Sequence, residues 1–353
     1  MTVLKLGSLF DGIGVFPLAA VHCGMEPVWA SEIEARPISI TRRHFPDMLH
    51  LGDITKINGA EVPPVDVITF GSPCQDLSQI GTRNGFAGKK SSLFYQAMRI
   101  IEEMRYATNG RYPAFTVWEN VTGAFSSNDR LDFAAMLRAF TGAEVSVPPR
   151  GWAHAGMVRG GRADTAWRLL DAQYWGEPAL VQRRKRVFVV ADFAGQRAGE
   201  VLFKPRTVLP FSAIGGPGGL SATAGSGVPA AQTGRQVPIV RPFSLRRMRT
   251  MAQVGDQKGF CASFGRGGEP FPTLLASVTA PFSFWYEGEE QDGFLRVLTP
   301  LECERLMGLP ENWTKYGCKN EEISDHARYR ALGNSIALPC AEYVMAGIAE
   351  VMN

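Results

Sequence analysis

The sequence predicts an α/β protein built on a mainly parallel sheet with helices on both faces, plus a small irregular unit inserted near the C-terminal end. Two observations carry this. Short apolar runs alternate with amphipathic stretches over the first two-thirds of the chain, which is the pattern of βαβ units. After Asp192 that alternation stops, and a stretch rich in Gly, Ala, Ser, Thr and Pro begins, with no clear period over 211–236.

The elements follow in order. Residues 3–9 read as a buried strand, followed by a glycine turn and a helix through Ala20. A second strand is expected at 28–30 and a second helix at 35–44. Apolar, β-rich runs at 65–70 and 115–118 flank a helical stretch over 92–106, and a further strand is expected at 187–191. A regular pattern resumes at Leu298, and 336–351 reads as a C-terminal helix. The expected division is therefore a main domain over 1–194, an irregular domain over 195–293, and a segment over 294–353 that returns to the main sheet.

Composition narrows the class. Of 353 residues, 45% are hydrophobic and 20% charged, which suits a globular protein. The net charge of +3 is too small to signal a polyanion partner, so the local run Arg183-Arg184-Lys185-Arg186 says more than the sum. The six cysteines (Cys23, Cys74, Cys261, Cys303, Cys318, Cys340) contain no Cys-x-x-Cys pair, so reduced thiols are expected rather than a disulfide framework or a zinc knuckle, and no metal is expected. The N-terminus has no signal-like apolar run and no stretch reaches the roughly 20 apolar residues of a membrane span. A soluble, cytoplasmic protein is expected.

Three local patterns carry chemistry. Phe10-Asp11-Gly12-Ile13-Gly14 follows the first strand directly, where glycines let a ligand approach the backbone and a helix N-terminus offers free N–H groups. Glu32 ends the second strand 20 residues after Gly12, the offset at which a nucleotide-binding α/β unit places the acid that grips ribose hydroxyls. Asp53, in Gly52-Asp53-Ile54, is placed to accept a bond from an adenine amino group. Gly71-Ser72-Pro73-Cys74-Gln75 puts a thiol at the tip of a strand, on the edge where open α/β sheets bind ligands. Read alone, Cys74 is equally a buried structural thiol or a reactive one.

Taken together, the blocks resemble the cytosine-5 DNA methyltransferases of prokaryotic and phage type. Phe-x-Gly-x-Gly and Gly-x-Pro-Cys-Gln are followed, in that family's order, by Glu119-Asn120-Val121, by Gln182-Arg183-Arg184-Lys185-Arg186, by Arg296-Val297-Leu298-Thr299-Pro300-Leu301-Glu302-Cys303 and by Gly333-Asn334-Ser335. The resemblance covers roughly 1–195 and 295–353. It implies a Rossmann-like, S-adenosylmethionine-dependent methyltransferase sheet with a target-recognition domain in the irregular region, and S-adenosylhomocysteine as product. Three departures stand out: Asp11 occupies a position that is commonly small, Ile33 stands where many relatives carry an aromatic, and Ala179, Leu180 and Val181 separate Gly176-Glu177-Pro178 from the arginine block.

The chemistry explains why these residue types travel together. Carbon 5 of cytosine is a poor nucleophile until a thiolate adds at carbon 6 and turns the ring into an enamine. The resemblance makes Cys74 that thiolate. Glu119 would meet ring nitrogen 3 as an acid, and Arg184 or Arg186 would face the carbonyl at carbon 2 or orient Glu119. The target base would be flipped out of its duplex.

The resemblance also implies a cofactor pocket of Phe10, Asp11, Gly12, Ile13, Gly14, Glu32, Ile33, Asp53, Ile54, Pro73, Leu93, Asn334 and Ser335. DNA contacts are expected from Gln75, Ser78, Arg83 and Gln182. The stretch over 79–90, with Gly81, Gly85, Gly88, Lys89 and Lys90, looks like the loop that closes over flipped DNA in that family. Thr273-Leu274 resembles a short element of such recognition domains and is equally a plain loop dipeptide. Arg246 and Arg247, with Arg249, are either DNA contacts or a solvated face.

The expected partner is double-stranded DNA, the expected state a monomer, and a restriction endonuclease a candidate companion. A transfer-RNA enzyme of this chemistry would carry a Cys-Phe-Thr element, and none lies between 194 and 294. A non-catalytic relative would lack Cys74, Glu119 or Arg186. An oxidoreductase would leave Pro-Cys-Gln and Glu-Asn-Val unexplained.

Overall fold

The computed structural model describes residues 2–72, 93–204, 239–243, 271, 273–274, 283–287 and 294–353. Eight strands form one sheet: β1 (Lys5–Leu9), β2 (Glu26–Ser31), β3 (Leu49–His50), β4 (Val67–Phe70), β5 (Phe115–Val121), β6 (Ala155–Arg159), β7 (Asp164–Asp171) and β8 (Lys185–Asp192). Their spatial order is β3-β2-β1-β4-β5-β8-β7-β6. The first five are parallel. β8 then runs antiparallel to β5, and β7 and β6 extend that antiparallel edge.

This arrangement refines the expectation of a mainly parallel sheet. The apolar run at 187–191 is compatible with either strand direction, and the β6–β7 hairpin carries too few apolar residues on β6 to be read as a strand. β6 alternates exposed and half-buried positions, as a solvent-facing edge does.

Helices cover both faces. On one, Phe115, Val117, Phe188 and Val190 pack with α1 (Val15–His22), α5 (Ala198–Leu202) and the C-terminal helices. On the other, Phe70, Trp118, Val187 and Val189 pack with α3 (Leu93–Ala107) and α4 (Leu131–Thr141). Alternate residues of one strand enter opposite cores, as a period-two strand requires. Trp118, Phe70 and Phe188 are fully buried, and a large side chain in such a position contributes roughly 1.5–3 kcal/mol.

Toward the C-terminus, α6 (Pro300–Leu306), α7 (Asp325–Asn334) and α8 (Leu338–Met352) follow. Thr299 starts α6 with a capping box: Glu302 N–H donates to its hydroxyl, and the Glu302 carboxylate accepts the Thr299 N–H at 2.7 Å. α8 packs against α1 and α5. Among the described residues of 294–353, no strand joins the large sheet; β11 (Phe294–Val297) pairs instead with β10 (Ser283–Glu287), which pairs with β9 (Ile239–Phe243) in a separate antiparallel sheet. The segment expected to return to the main sheet therefore returns to the main core as helices. Among the described residues no single helix is long and apolar enough to cross a membrane.

Candidate active site

All five parallel strands end at one edge, and β8, running the other way, begins there. That topology alone gathers the turn after β1, the acid after β2, the tip of β4, the end of β5 and the start of β8. A cleft of about 1290 Å³ occupies this edge, and Phe10, Glu32, Asp53, Glu119, Arg186 and Asn334 are among its lining residues.

At the glycine turn, Gly12 holds φ +59, with open space where a side chain would begin. Its N–H donates to Glu32 Oε2 at 2.9 Å, while Glu32 Oε1 accepts the N–H groups of Ile33 and Glu34 at 2.7 and 2.9 Å. The carboxylate is thereby fixed in direction with lone pairs to spare. From behind, the Trp313 indole N–H donates to the Ile13 carbonyl at 2.8 Å and braces the turn. Ile33 is 72% exposed in the cleft, an apolar surface where the sequence lacks an aromatic. Asp53 caps the short turn Ile54–Lys56 by accepting the Thr55 N–H at 2.9 Å, which holds its carboxyl below the usual range. Ile54, Leu93 and Ser335 complete this end of the cleft.

The reaction end is built on β4, β5 and β8. Glu119 is buried, and its Oε1 lies 3.0 Å from Arg186 Nε. Burial pushes its carboxyl above the usual range; Arg186 and, less strongly, Arg184 oppose the shift. Gly71 provides the space for this carboxyl: a Cβ there would stand 3.1 Å from Glu119 Oε2. Next along the chain, Ser72 is held twice. The Trp118 indole N–H donates to its Oγ at 3.1 Å and the Asn120 side-chain amide donates to its carbonyl at 2.9 Å. Sequence reasoning missed Trp118 and Ser72 as site residues; a polar residue between Gly71 and Pro73 facing an indole two strand positions from Asn120 was the available signal.

Thr273 and Leu274 also line the cleft. Arg183 N–H donates to the Phe271 carbonyl at 2.6 Å, Phe271 N–H to the Val181 carbonyl at 2.7 Å, and the Thr273 hydroxyl to the Arg183 carbonyl at 2.6 Å. The Thr-Leu dipeptide is thus seated on the arginine block.

Several expected positions differ. Gln182, expected to touch DNA, is fully buried, with no hydrogen-bond partner for its side-chain amide among the described residues. Arg184, expected at the base, is also buried, and its terminal nitrogens are spent on backbone carbonyls. Gly14 faces Thr41 of α2 (Ala35–His44) and Phe45 just past its end rather than the cleft, as the left-handed N-cap of α1. Asp11 lies at the cleft, but its carboxyl oxygens are shut off from solvent, with the Ser8 and Thr41 hydroxyls beside them. Burial pushes that carboxyl up to about 7, and nearby Glu32 adds to the rise. Pro73, Cys74, Gln75, Ser78, Arg83, Arg246 and Arg247 lie outside the described residues.

With this geometry in place, the comparison with known proteins is decisive for the family: the C-5 cytosine-specific DNA methylase profile matches residues 4–203 and 244–350. The chain belongs to that family. This methylase is 22% identical to the Type II methyltransferase M.HhaI of Haemophilus parahaemolyticus over 367 residues, covering 100% of this chain and 96% of that protein. It is 24% identical over 463 residues to a protein of Escherichia phage P1 named DNA N-6-adenine-methyltransferase; the match takes in 98% of this chain but only 61% of that longer relative. Among solved structures, the S. pombe Dnmt2 methyltransferase superposes with a TM-score of 0.55 at 16% identity over 99% of both chains, a likeness of fold. The fold is the Rossmann-like sheet of S-adenosylmethionine-dependent methyltransferases, and the family's reaction is methyl transfer to carbon 5 of cytosine in DNA.

Proposed function

We propose that this methylase modifies cytosine within a specific duplex DNA site, using Cys74 as nucleophile, Glu119 as the acid at ring nitrogen 3 and Arg186 as the cation beside it. The observation that carries this reading is the Glu119 carboxyl, buried against Gly71 three residues before Cys74 and 3.0 Å from the Arg186 guanidinium.

Each residue has a defined task. The Cys74 thiolate adds to carbon 6 of a flipped cytosine. A protonated Glu119 donates to nitrogen 3 and quenches the charge that the addition pushes onto the ring; burial, which raises its pKa, favours that protonated form. Arg186, half-buried on the same edge, holds Glu119 in place and presents positive charge to the carbonyl at carbon 2. The bonds to Ser72 from Trp118 and Asn120 hold the chain where it enters the Cys74 segment. S-adenosylmethionine, when bound, would supply the electrophilic methyl that carbon 5 takes, leaving as S-adenosylhomocysteine. Loss of the carbon 5 proton then breaks the bond to Cys74, expels its thiolate and restores the ring. The cleft fits it: Gly12 leaves the backbone open, Glu32 is aimed by three N–H donors yet retains lone pairs for ribose hydroxyls, and Ile33 and Ile54 offer apolar walls to a base.

The DNA-reading region in this proposal is 195–293 as the sequence divides it, narrowed by α5, whose packing on β7, β8 and α8 keeps 198–202 with the main core. Its residues Thr273 and Leu274 line the cleft, with Arg183 and Lys185 as neighbours there. The protein is proposed to act as a monomer in the cytoplasm of a prokaryotic or phage-infected cell, with no metal, and to protect DNA from a companion endonuclease.

The test is incubation with methyl-labelled S-adenosylmethionine and duplex DNA, then digestion to nucleosides. Label on 5-methylcytosine that Cys74→Ala abolishes supports the proposal. The name of the phage P1 relative favours one second reading, methylation of adenine N6. An exocyclic amine attacks the methyl directly and needs no thiol, so label on N6-methyladenine that survives Cys74→Ala would establish that reading instead.

A further inference from the structure

We infer that Arg184 is a positioning residue that couples the DNA-facing segment at 273–274 to the cofactor end of the cleft. The inference rests on the proposed function above and assigns a part that the base contacts leave open.

Arg184 is 1% exposed, and burying a guanidinium is costly unless its N–H groups find acceptors; both terminal nitrogens find them, while the buried Nε has none among the described residues. Those acceptors come from two distant parts of the chain. Nη1 donates to the Leu274 carbonyl at 2.9 Å. Nη2 donates to the Gly333 carbonyl at 2.9 Å and to the Ser335 carbonyl. The Arg184 N–H itself donates to Asp171 Oδ1 at 3.1 Å, which ties the residue to the end of β7.

The acceptors at 333–335 have a particular character. α7 ends at Asn334, so the Gly333 carbonyl is one of the last-turn carbonyls that a helix leaves without an internal partner. A cation there also meets the negative end of the helix dipole. Arg184 therefore caps α7 and fixes the Gly333-Asn334-Ser335 turn, whose residues line the cleft together with Phe10, Glu32 and Ile33. With its other arm it holds Leu274, beside Thr273, at the reaction end of the same cleft. One rigid planar fork thus fastens both walls. A ligand that orders either wall spends less ordering free energy on the other, and the effect is necessarily mutual. Arg186, two residues on, faces Glu119 instead, so the two arginines divide coupling and chemistry between them.

The experiment uses the full chain and a short duplex carrying a site that the wild-type enzyme methylates. DNA affinity is measured by fluorescence anisotropy with and without saturating S-adenosylhomocysteine, and the affinity for S-adenosylhomocysteine alone by calorimetry. Wild type is expected to bind DNA about tenfold more tightly with the cofactor product present, within the usual span of such couplings. Arg184→Lys, which keeps the charge but cannot hold both walls, is expected to bring that ratio below about twofold while each ligand alone binds within about threefold of wild type. A ratio unchanged in Arg184→Lys, or a wild-type ratio of one, overturns the inference. A role confined to stability would lower the melting temperature and leave the ratio intact. Should the variant not fold, hydrogen exchange on the wild type decides: S-adenosylhomocysteine alone must slow amide exchange around 271–274, and no slowing there overturns the inference. Failure of wild type to methylate cytosine would count against the proposed function, whereas methylation with an undiminished ratio in the variant counts only against this coupling.

Discussion

Arg186 Nε stands 3.0 Å from Glu119 Oε1, across the antiparallel pair of β5 and β8. The register explains the meeting. Glu119 is opposite Phe188 and Val121 is opposite Arg186, so Glu119 and Arg186 are diagonal neighbours on one face, within reach of long side chains. Because β8 is antiparallel, its first residues lie beside the last residues of β5, and both fall at the ligand edge. Burial raises the Glu119 pKa and Arg186 restrains the rise. Removing the cation in Arg186→Ala should therefore let the carboxyl keep its proton to higher pH. The expected outcome is a slower enzyme whose basic limb in a pH–kcat profile moves upward; a downward move would mean that Glu119 does not act as an acid.

Glu119→Gln keeps the size of the side chain but cannot deliver a proton. A loss in kcat of about 10²–10⁴ is expected, with the affinity for S-adenosylhomocysteine unchanged. Rapid-quench kinetics and calorimetry check the two halves of this statement.

Trp118 and Ser72 form a buried pair at the entrance to the Cys74 segment. Trp118→Phe leaves the Ser72 hydroxyl without its donor, and an unpaired buried polar group costs about 1–3 kcal/mol. Both stability to urea and kcat should fall, with the KM for S-adenosylmethionine little changed. Combining Trp118→Phe with Ser72→Ala should recover part of the stability, since both partners are then removed. Strict additivity of the two single changes would show that the bond contributes nothing.

Gly71→Ala places a Cβ about 3.1 Å from Glu119 Oε2, closer than ordinary contact. The carboxyl must shift by a few tenths of an ångström. Turnover should fall by about tenfold or more, given the sensitivity of catalysis to small misplacements, while the melting temperature changes by only a few degrees. An unaffected kcat would place the Glu119 carboxyl outside the chemistry.

Much of this site was legible because each of its parts ends or begins a strongly apolar run. Gly12, Glu32, Gly71 and Glu119 all follow such runs, and parallel strands bring their ends to one edge without further information. The division of labour between Arg184 and Arg186 was not legible. The partners that bury Arg184 are 90 and 149 positions away, at Leu274 and Gly333, and nothing local distinguishes one arginine of the block from the other. The burial of Gln182 was not legible for a related reason: its bridge to Phe271 is a long-range pairing. The β6–β7 hairpin escaped notice because β6 is a solvent-facing edge, with Met157 40% exposed and no inward apolar stripe.

Two facts define the proposed chemistry: which atom receives the methyl group, and whether Cys74 is needed. Wild type and Cys74→Ala, incubated with methyl-labelled S-adenosylmethionine and duplex DNA, followed by nucleoside digestion and mass spectrometry, measure both. The predicted result is 5-methylcytosine from wild type and none from Cys74→Ala. Label on adenine N6, or 5-methylcytosine at wild-type level from Cys74→Ala, would contradict it.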